Sequence, residues 1–271
     1  MKKFAVLGHP VAHSLSPKMH AANMAAIGFE GTYEKFDVPP EELHSFVLQK
    51  RSEGYAGLNI TVPHKISVID ILDRKDASVV KYGACNTVKF EEDGTLSGWN
   101  TDVIGFVDVL AAHNVAIAGA KVFIVGTGGA GGALAAVCAN EGAAALALAD
   151  LDATRLANLA AKLASPCVKT FADKALWTAA AAEADIVVNA TPLGLHEGDE
   201  AALEAAAFHA GQFVLDIVPT AKFPPTAALA VAQGADATDG LEFLVGQGAK
   251  SFEIWTGKAA DRAAMLAALR A

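Results

Sequence analysis

A glycine-rich segment with an acid beyond it is the clearest chemical pattern in this sequence. The segment Gly126-Thr127-Gly128-Gly129-Ala130-Gly131 follows the apolar run Lys121–Val125 and precedes an alanine-rich run at 132–140. A strand, a glycine turn and a helix in this order form a dinucleotide site. Glycines let the backbone approach a pyrophosphate, and the helix N-terminus offers free N–H groups. Asp150 follows a second apolar run, 144–149, where the adenosine ribose should lie.

The acids after this second run bear on the choice of dinucleotide. A carboxylate accepts hydrogen bonds from both ribose hydroxyls, and it repels a 2′-phosphate by roughly 4 kcal/mol at 4 Å in an effective dielectric near 20. Asp152 lies just beyond Asp150 and is a second acidic candidate. The sequence therefore predicts NAD in preference to NADP. The alternative is that either acid only caps the helix expected over 153–163.

Polar side chains also follow apolar runs in the first hundred residues. In the segment 13–17 (HSLSP), the hydroxyls of Ser14 and Ser16 lie at a helix start and can bind an anion. The alternative is that Ser16 is only a cap and Ser14 a turn residue. In the segment 59–65 (NITVPHK), Lys65 comes at the edge of the predicted sheet, although a lysine is more often a solvated surface charge.

Two short polar residues stand at loop junctions further along. Asn86 lies in the segment 83–87 (GACNT), and Asp102 ends the segment Asn100-Thr101-Asp102. Both are candidates for a polar site at the ends of strands. The alternative for both is turn chemistry, because Asn and Asp readily cap turns and helices. Asp102 in particular could cap a helix that begins at 103.

These residues must be positioned by alternating strands and helices. In the first hundred residues strands are expected at 4–7, 32–38 and 57–62, helices at 16–27, 41–52 and 66–72, and a hairpin at 85–90 and 95–99. A helix at 103–113 is followed by strands at 121–125, 144–149, 185–189 and 213–217 and by final helices at 241–255 and 258–270. The alternation predicts an α/β protein with mostly parallel sheets and helices on their faces.

The pattern further predicts two domains with a cleft between them. Residues 1–102, completed by the helices in 240–271, would form a substrate-binding and catalytic domain. Residues 103–239 would form a Rossmann-type dinucleotide-binding domain. A chain of 271 residues suits this division. Ligands in such sheets bind beyond the carboxyl ends of the strands, which is where the polar residues fall.

Composition narrows the classes of partner. A net charge of −9 argues against a nucleic-acid partner and against an anionic membrane surface. The cysteines are Cys85, Cys138 and Cys167, which are too scattered for a disulfide framework and indicate reduced thiols in the cytoplasm. The first apolar run is too short for a signal peptide. The histidines form no HExxH pattern, so no metal site is predicted.

The sequence resembles the shikimate dehydrogenase family along almost its whole length. The matching segments are GHPVAHSLSP, NITVPHK, GACNT, GWNTD, the glycine turn, NATPLG and DGLEFLVGQGAKSFEIWTG. The resemblance implies a cytoplasmic oxidoreductase of aromatic amino acid biosynthesis. It would interconvert shikimate and 3-dehydroshikimate by moving a hydride between a ring carbon and a nicotinamide. Its partners would be small molecules, and the protein would be a monomer or a homodimer.

The resemblance also implies a role for individual residues. Lys65 and Asp102 would form the catalytic pair, since the ketone oxygen gains negative charge as it accepts hydride and a lysine ammonium can supply the proton. Ser14 and Ser16 would bind the substrate carboxylate. The implied contacts to the ring hydroxyls are Asn59, Thr61, Asn86 and Gln247, and further implied cofactor contacts are Thr191, Pro192 and Gly240.

Two departures from the common family pattern bear on specificity. The NADP-dependent pattern has an Asn-Arg-Thr-type segment after the second nucleotide strand, whereas this chain has Ala149-Asp150-Leu151-Asp152, which resembles the NAD-using shikimate/quinate branch. Pro219 stands where the family usually has a tyrosine near the nicotinamide. The small Ser16 favours shikimate over quinate. The alternatives are a quinate or amino-shikimate dehydrogenase of the same family and a non-catalytic NAD-responsive binding protein.

Overall fold

The computed structural model describes residues 1–220 and 222–271. Its strands are β1 (Lys2–Gly8), β2 (Gly31–Asp37), β3 (Tyr55–Ile60), β4 (Arg74–Lys75), β5 (Thr87–Phe90), β6 (Leu96–Trp99), β7 (Lys121–Val125), β8 (Ala145–Ala149), β9 (Val168–Phe171), β10 (Ile186–Asn189), β11 (Phe213–Asp216) and β12 (Asp236–Thr238). Its α-helices are α1 (Ser16–Ala26), α2 (Leu43–Ser52), α3 (Ala77–Tyr82), α4 (Thr101–Ala112), α5 (Gly129–Asn140), α6 (Ala153–Leu163), α7 (Trp177–Ala182), α8 (Pro225–Ala232), α9 (Gly240–Thr256) and α10 (Arg262–Arg270).

The chain forms two compact units. The first unit comprises Met1–Phe106 and Leu244–Ala271, and the second comprises Val107–Phe243. The two boundaries between the units fall inside helices α4 and α9. Among the described residues, no helix combines the length and the apolar composition needed to cross a membrane.

The sheet of the first unit has the strand order β2-β1-β3-β5-β6-β4. β1 pairs in parallel with both β2 and β3, because helical crossovers connect these strands. β5 and β6 form the predicted antiparallel hairpin beside β3. Buried apolar side chains such as Leu7, Leu58 and Val88 form the core against the helices. The sheet therefore places the ends of β1 and β3 side by side.

Helix α9 packs on this first sheet through its C-terminal half. The indole N–H of Trp255 donates to the carbonyl of Val88 at 2.9 Å, and the Trp255 ring stacks on Phe4. Gly57 makes this approach possible, since a Cβ there would lie 2.2 Å from the Trp255 indole nitrogen. Helix α9 thus contributes Trp255 to the core of the first unit.

The sheet of the second unit has the strand order β12-β11-β10-β7-β8-β9, and all its pairs are parallel. The order corresponds to the 3-2-1-4-5-6 arrangement of a doubly wound dinucleotide fold, with its switch point between β7 and β10. The central strands are buried on both faces, as their continuous apolar runs require.

The predicted fold class is confirmed: the protein is α/β, has two domains, and its sheets are mostly parallel. The predicted helix at 66–72 is instead a 3₁₀ helix at Ser67–Ile71. The short strands β9 and β12 and the short helices α7 and α8 were not predicted. Their runs offer too few residues for a clear period.

Candidate active site

Lys65 and Asp102 form a nearly buried ion pair in the first unit. The Lys65 Nζ lies 2.6 Å from the Asp102 Oδ2, and the two side chains are 14% and 6% exposed. Lys65 follows β3, and Asp102 lies in the first turn of α4. The alternative that Lys65 is a solvated surface charge is therefore wrong. Asp102 directs both carboxylate oxygens to other side chains.

Asn86 orients the carboxylate of Asp102. Its Nδ2 donates to the Asp102 Oδ1 at 2.9 Å and to the Gln247 Oε1 at 3.3 Å. Its Oδ1 accepts from the backbone N–H of Thr101 at 2.7 Å and from the Thr101 hydroxyl at 3.1 Å. These bonds leave the amide with one orientation. Asn86 therefore connects the predicted catalytic pair to Gln247 on α9.

The side-chain amide of Asn59 forms hydrogen bonds to other protein groups through both its oxygen and its nitrogen. Its Oδ1 accepts from the Tyr33 hydroxyl at 2.7 Å, and its Nδ2 donates to the Asn86 carbonyl at 3.1 Å and to the Ser251 hydroxyl at 3.0 Å. Its predicted contact with a ring hydroxyl stays a prediction. In the structure Asn59 supports the segment that carries Asn86.

The predicted carboxylate-binding serines lie at the start of α1. The helix begins at Ser16 with Leu15 in the N-cap position, and no side chain caps it. Ser16 is thus not the cap, and the Ser16 N–H approaches the Ser14 hydroxyl at 3.4 Å. Thr61 is half-buried just after β3. Hydroxyls at a helix N-terminus suit an anion.

The glycine turn of the second unit lies close to neighbouring backbone, where a side chain would not fit. Gly126 has φ +92, and a Cβ there would lie 2.7 Å from the Ala190 carbonyl carbon. A Cβ on Gly131 would lie 1.9 Å from the Gly126 oxygen, so only glycine permits α5 to start this close to β7. Gly128 caps α5 without a side chain, which leaves the first N–H groups of the helix available. Gly129 and Ala130 form its first turn.

Asp150 ends β8 beside this turn. Its Oδ2 accepts from the Thr127 N–H and hydroxyl, both at 2.7 Å, and its Oδ1 accepts from the Asp152 N–H at 2.9 Å. Burial opposes the charge of Asp150, but these hydrogen bonds outweigh it and hold its pKa below the usual value. Asp152 caps α6 by accepting from the Arg155 N–H, as the alternative reading of the acids predicted.

Arg155 contributes a cation that the sequence argument overlooked. Its guanidinium lies 3.6 Å from the Asp150 Oδ2 and 3.3 Å from the Asp152 Oδ2. The spacing Asp152 to Arg155 (i, i+3) is a signal that could have revealed this pair. The acids are therefore partly neutralised at the position where a dinucleotide ribose would bind.

The remaining predicted cofactor residues lie at the carboxyl edge of the second sheet. Thr191 and Pro192 follow β10, and Gly240 begins α9. Asp216, at the end of β11, is fully buried, and its Oδ2 has no hydrogen-bond partner among residues 1–220 and 222–271. Burial raises the pKa of Asp216 to about 6, and the nearby Asp239 carboxylate adds to this effect.

No cluster of His, Cys, Asp and Glu that could bind a metal ion occurs in the part of the chain that the structure describes. The buried histidines have other surroundings. His64 bonds to the Val38 carbonyl at 2.7 Å, and His20 stacks on Tyr33 at 4.2 Å between ring centroids.

Comparison with known proteins shows the family to which the chain belongs. A profile of the shikimate dehydrogenase substrate binding domain matches residues 6–88, and one of the shikimate 5′-dehydrogenase C-terminal domain matches residues 240–270. Shikimate dehydrogenase (NADP(+)) from Moorella thermoacetica is 39% identical over 272 residues, which cover 98% of this chain and 92% of the relative. The chain belongs to the shikimate dehydrogenase family. The resemblance found in the sequence is confirmed.

Solved structures agree in fold. Shikimate 5-dehydrogenase from Thermus thermophilus, in complex with NADP(H) and shikimate, has a TM-score of 0.87 and 34% identity, with 100% of this chain and 99% of that chain covered. Quinate dehydrogenase from Corynebacterium glutamicum, in complex with NAD, has a TM-score of 0.87 and 29% identity, with 98% of each chain covered.

The prediction of NAD in preference to NADP is contradicted by the curated relatives. Those between 34% and 39% identical are named NADP(+)-dependent shikimate dehydrogenases. The expected repulsion of a 2′-phosphate by Asp150 and Asp152 requires that no cation lies beside them. Arg155 lies against both carboxylates, so repulsion of a 2′-phosphate by uncompensated acids does not describe this site.

The raised pKa of Asp216 gives a prediction about stability. An aspartate has a pKa of about 3.9 in an unfolded chain, so the folded protein binds this proton more tightly. As pH rises from 4 to 6, ionisation in the buried position lowers the free energy of unfolding. Relative to Asp216→Asn, wild type should therefore lose up to about 3 kcal/mol over this window and remain constant above it.

Urea unfolding of both proteins at half-unit steps between pH 4 and pH 7.5 measures this difference. Asp185→Asn, at an exposed position just before β10, is the matched control and should follow wild type. If the free energies of unfolding of wild type and Asp216→Asn differ by the same amount at every pH, the raised pKa of Asp216 is contradicted.

Proposed function

We propose that the protein catalyses the reversible oxidation of shikimate to 3-dehydroshikimate, with transfer of a hydride from the C3 carbon to a nicotinamide dinucleotide. The observation that carries the proposal is the nearly buried ion pair of Lys65 and Asp102, oriented by Asn86. A buried amine beside a carboxylate can exchange a proton with a reacting hydroxyl. The names of the family relatives support shikimate as the substrate.

The first unit would bind the substrate. Ser14 and Ser16 would receive its carboxylate at the N-terminus of α1, where the helix dipole favours an anion. Asn59, Thr61, Asn86 and Gln247 would face or support the ring hydroxyls. Asn86 and Gln247 already contact each other, so a ring hydroxyl would exchange with that bond.

Lys65 would carry the proton in the chemical step. In the direction of reduction, the ketone oxygen gains an electron pair as hydride reaches its carbon, and the Lys65 ammonium donates a proton to that oxygen. In the reverse direction the neutral amine accepts the hydroxyl proton. Asp102 would keep the amine in place through the bond to its Oδ2 and stabilise the ammonium form. A nearly buried position strengthens both interactions.

The second unit would bind the dinucleotide. Gly126, Gly128, Gly129, Ala130 and Gly131 would face the pyrophosphate, and a bound nicotinamide supplies the hydride acceptor. The Asp150, Asp152 and Arg155 group would contact the ribose, and Thr191, Pro192 and Gly240 would lie towards the nicotinamide half. The relatives make NADP⁺ the first cofactor to test.

Quinate is the second candidate substrate. The likeness to quinate dehydrogenase from Corynebacterium glutamicum favours including it. The small Ser16 supports shikimate, since quinate carries an extra hydroxyl beside its carboxylate. A substrate panel distinguishes shikimate and quinate from the remaining alternatives. These are an amino-shikimate substrate and a non-catalytic, dinucleotide-responsive role. A cytoplasmic location and a monomeric or homodimeric state remain predictions.

The proposal is tested by mixing the purified protein with shikimate and either NADP⁺ or NAD⁺ and following the absorbance of the reduced nicotinamide. We expect turnover with shikimate that exceeds turnover with quinate. The Lys65→Met protein, purified in parallel, controls for contaminating enzyme. Absence of turnover with both cofactors and both substrates would refute an enzymatic role.

Lys65→Met should reduce kcat by about 10²- to 10⁴-fold, because it removes the proton donor while preserving most of the side-chain volume. The Kd of the dinucleotide should stay within twofold of wild type. Stopped-flow absorbance and calorimetry measure the two quantities. Lys75→Met removes an exposed lysine of the same unit and should leave both unchanged. A near-normal kcat for Lys65→Met would remove this amine from the reaction.

Arg155 and Asp150 should act in opposite directions on cofactor discrimination. Arg155→Ala should lower the ratio of kcat/KM with NADP⁺ to kcat/KM with NAD⁺ by about tenfold, because a guanidinium attracts a 2′-phosphate. Asp150→Asn should raise the same ratio, because it removes a negative charge from that position. Lys162→Ala, which removes a cation from the last turn of the same helix, should not change it. Equal ratios in all four proteins would show that this group does not contact the ribose.

A further inference from the structure

One buried carboxylate serves two turns at the carboxyl edge of the second sheet. Asp216 ends β11, and none of its surface is exposed. Its Oδ1 accepts from the Asn189 Nδ2 at 3.0 Å and from the Val218 N–H at 3.2 Å. Asn189 ends the neighbouring strand β10, so the carboxylate links the turns that leave both strands.

The first of these turns is attached through Asn189. The Asn189 Oδ1 accepts from the Thr191 N–H at 3.1 Å and from the Thr191 hydroxyl at 2.7 Å. The Thr191 hydroxyl in turn accepts from the Leu193 N–H at 3.2 Å. The same turn touches the glycine turn, since a Cβ on Gly126 would lie 2.8 Å from the Thr191 nitrogen. A shift of Asn189 would therefore move backbone on which the glycine turn rests.

The second turn supports the start of α9. A Cβ on Gly240 would lie 2.3 Å from the Ile217 oxygen and 2.6 Å from the Val218 carbonyl carbon. Gly240 is thus in direct contact with the turn that the Val218 N–H closes on Asp216. Asp239, which is 3% exposed, accepts from the Leu241 N–H at 3.0 Å and is the charged group that faces this region.

We propose that Asp216 is a positioning residue for dinucleotide binding. It holds the Thr191 turn in place through Asn189 and the Gly240 turn through Val218. The proposal rests on the proposed function, because Thr191 and Gly240 are among its cofactor contacts. Asp216 touches neither the substrate nor the reacting atoms, and its effect on the dinucleotide is indirect.

The positioning depends on an acceptor oxygen and not on charge. The Oδ1 receives two N–H donors, and a protonated carboxyl or an asparagine can present the same oxygen to them. No hydrogen bond to the Oδ2 occurs among the described residues, although the Thr226 hydroxyl lies close enough to lower the pKa of Asp216 against the effect of burial. An asparagine keeps the Oδ1 as the acceptor of both turns. Asp216→Asn therefore preserves the arrangement, whereas Asp216→Ala removes the acceptor from both turns.

The test compares dinucleotide affinity in three variants by calorimetry. Asp216→Ala should raise the Kd of the dinucleotide about tenfold and leave the KM of shikimate, measured at saturating dinucleotide, within twofold. Asp216→Asn should keep both constants at the wild-type values. Asp185→Asn changes an aspartate at the opposite, amino end of β10 and should also leave both unchanged. The wild-type Kd should be the same at pH 5 and pH 7.5.

Asn189→Ala provides a second route to the same question if Asp216→Ala does not fold. It leaves Asp216 in place, removes the connection to Thr191, and should also weaken dinucleotide binding selectively. In a double-mutant cycle the two alanine substitutions should be less than additive. An unchanged Kd in either alanine variant, or an equal rise in the shikimate KM, overturns the proposal. Absence of dinucleotide binding by wild type would instead refute the proposed function.

Discussion

The buried pairing of Lys65 with Asp102 is the interaction on which the first unit depends. Removing two charges from water costs several kcal/mol for each ion, and their attraction compensates only when further hydrogen bonds satisfy them. Asn86 meets this requirement by donating to the Asp102 Oδ1, while the Lys65 Nζ occupies the Oδ2. The pair therefore requires that the end of β3, the start of β5 and the start of α4 come together.

A group of uncharged polar side chains packs next to the Lys65–Asp102 pair and Asn86. Thr87, Thr101 and Ser251 exchange hydrogen bonds of 2.8 to 3.2 Å through their hydroxyls, and Asn59 bonds to the first and last of them. These groups lie between the sheet and α9, where water cannot satisfy them. Because every member bonds to a neighbour, the group allows few alternative arrangements. It therefore restricts the position of Asn86 and, through it, of Asp102.

Local patterns in the sequence predict the glycine turn and Asp150 of the second unit better than they predict the Lys65–Asp102 pair of the first. The glycine turn and Asp150 follow from a short segment whose strand, turn and helix are adjacent in the chain. Lys65 and Asp102 are 37 residues apart, and only the family resemblance joined them before the fold was known. The i, i+3 spacing of Asp152 and Arg155 is visible in the sequence, whereas the contact of Arg155 with Asp150 depends on where a long side chain reaches. The desolvation of Asp216 depends on burial by several elements, which no single segment encodes.

Each unit contains a buried Asn–Asp pair, and the two pairs differ in what lies at the second carboxylate oxygen of the aspartate. Asn86 and Asn189 each accept from the N–H and the hydroxyl of one threonine, and each donates to the Oδ1 of an aspartate. Asp102 has the Lys65 ammonium at its second oxygen, whereas the second oxygen of Asp216 has no partner among the described residues. In the proposed reaction the Lys65 amine beside Asp102 is the group that exchanges the proton. Asp216 has no such cation among the residues that the structure describes, and burial raises its pKa to about 6. The same Asn–Asp arrangement thus carries an ion pair in the first unit and a lone buried carboxyl group in the second.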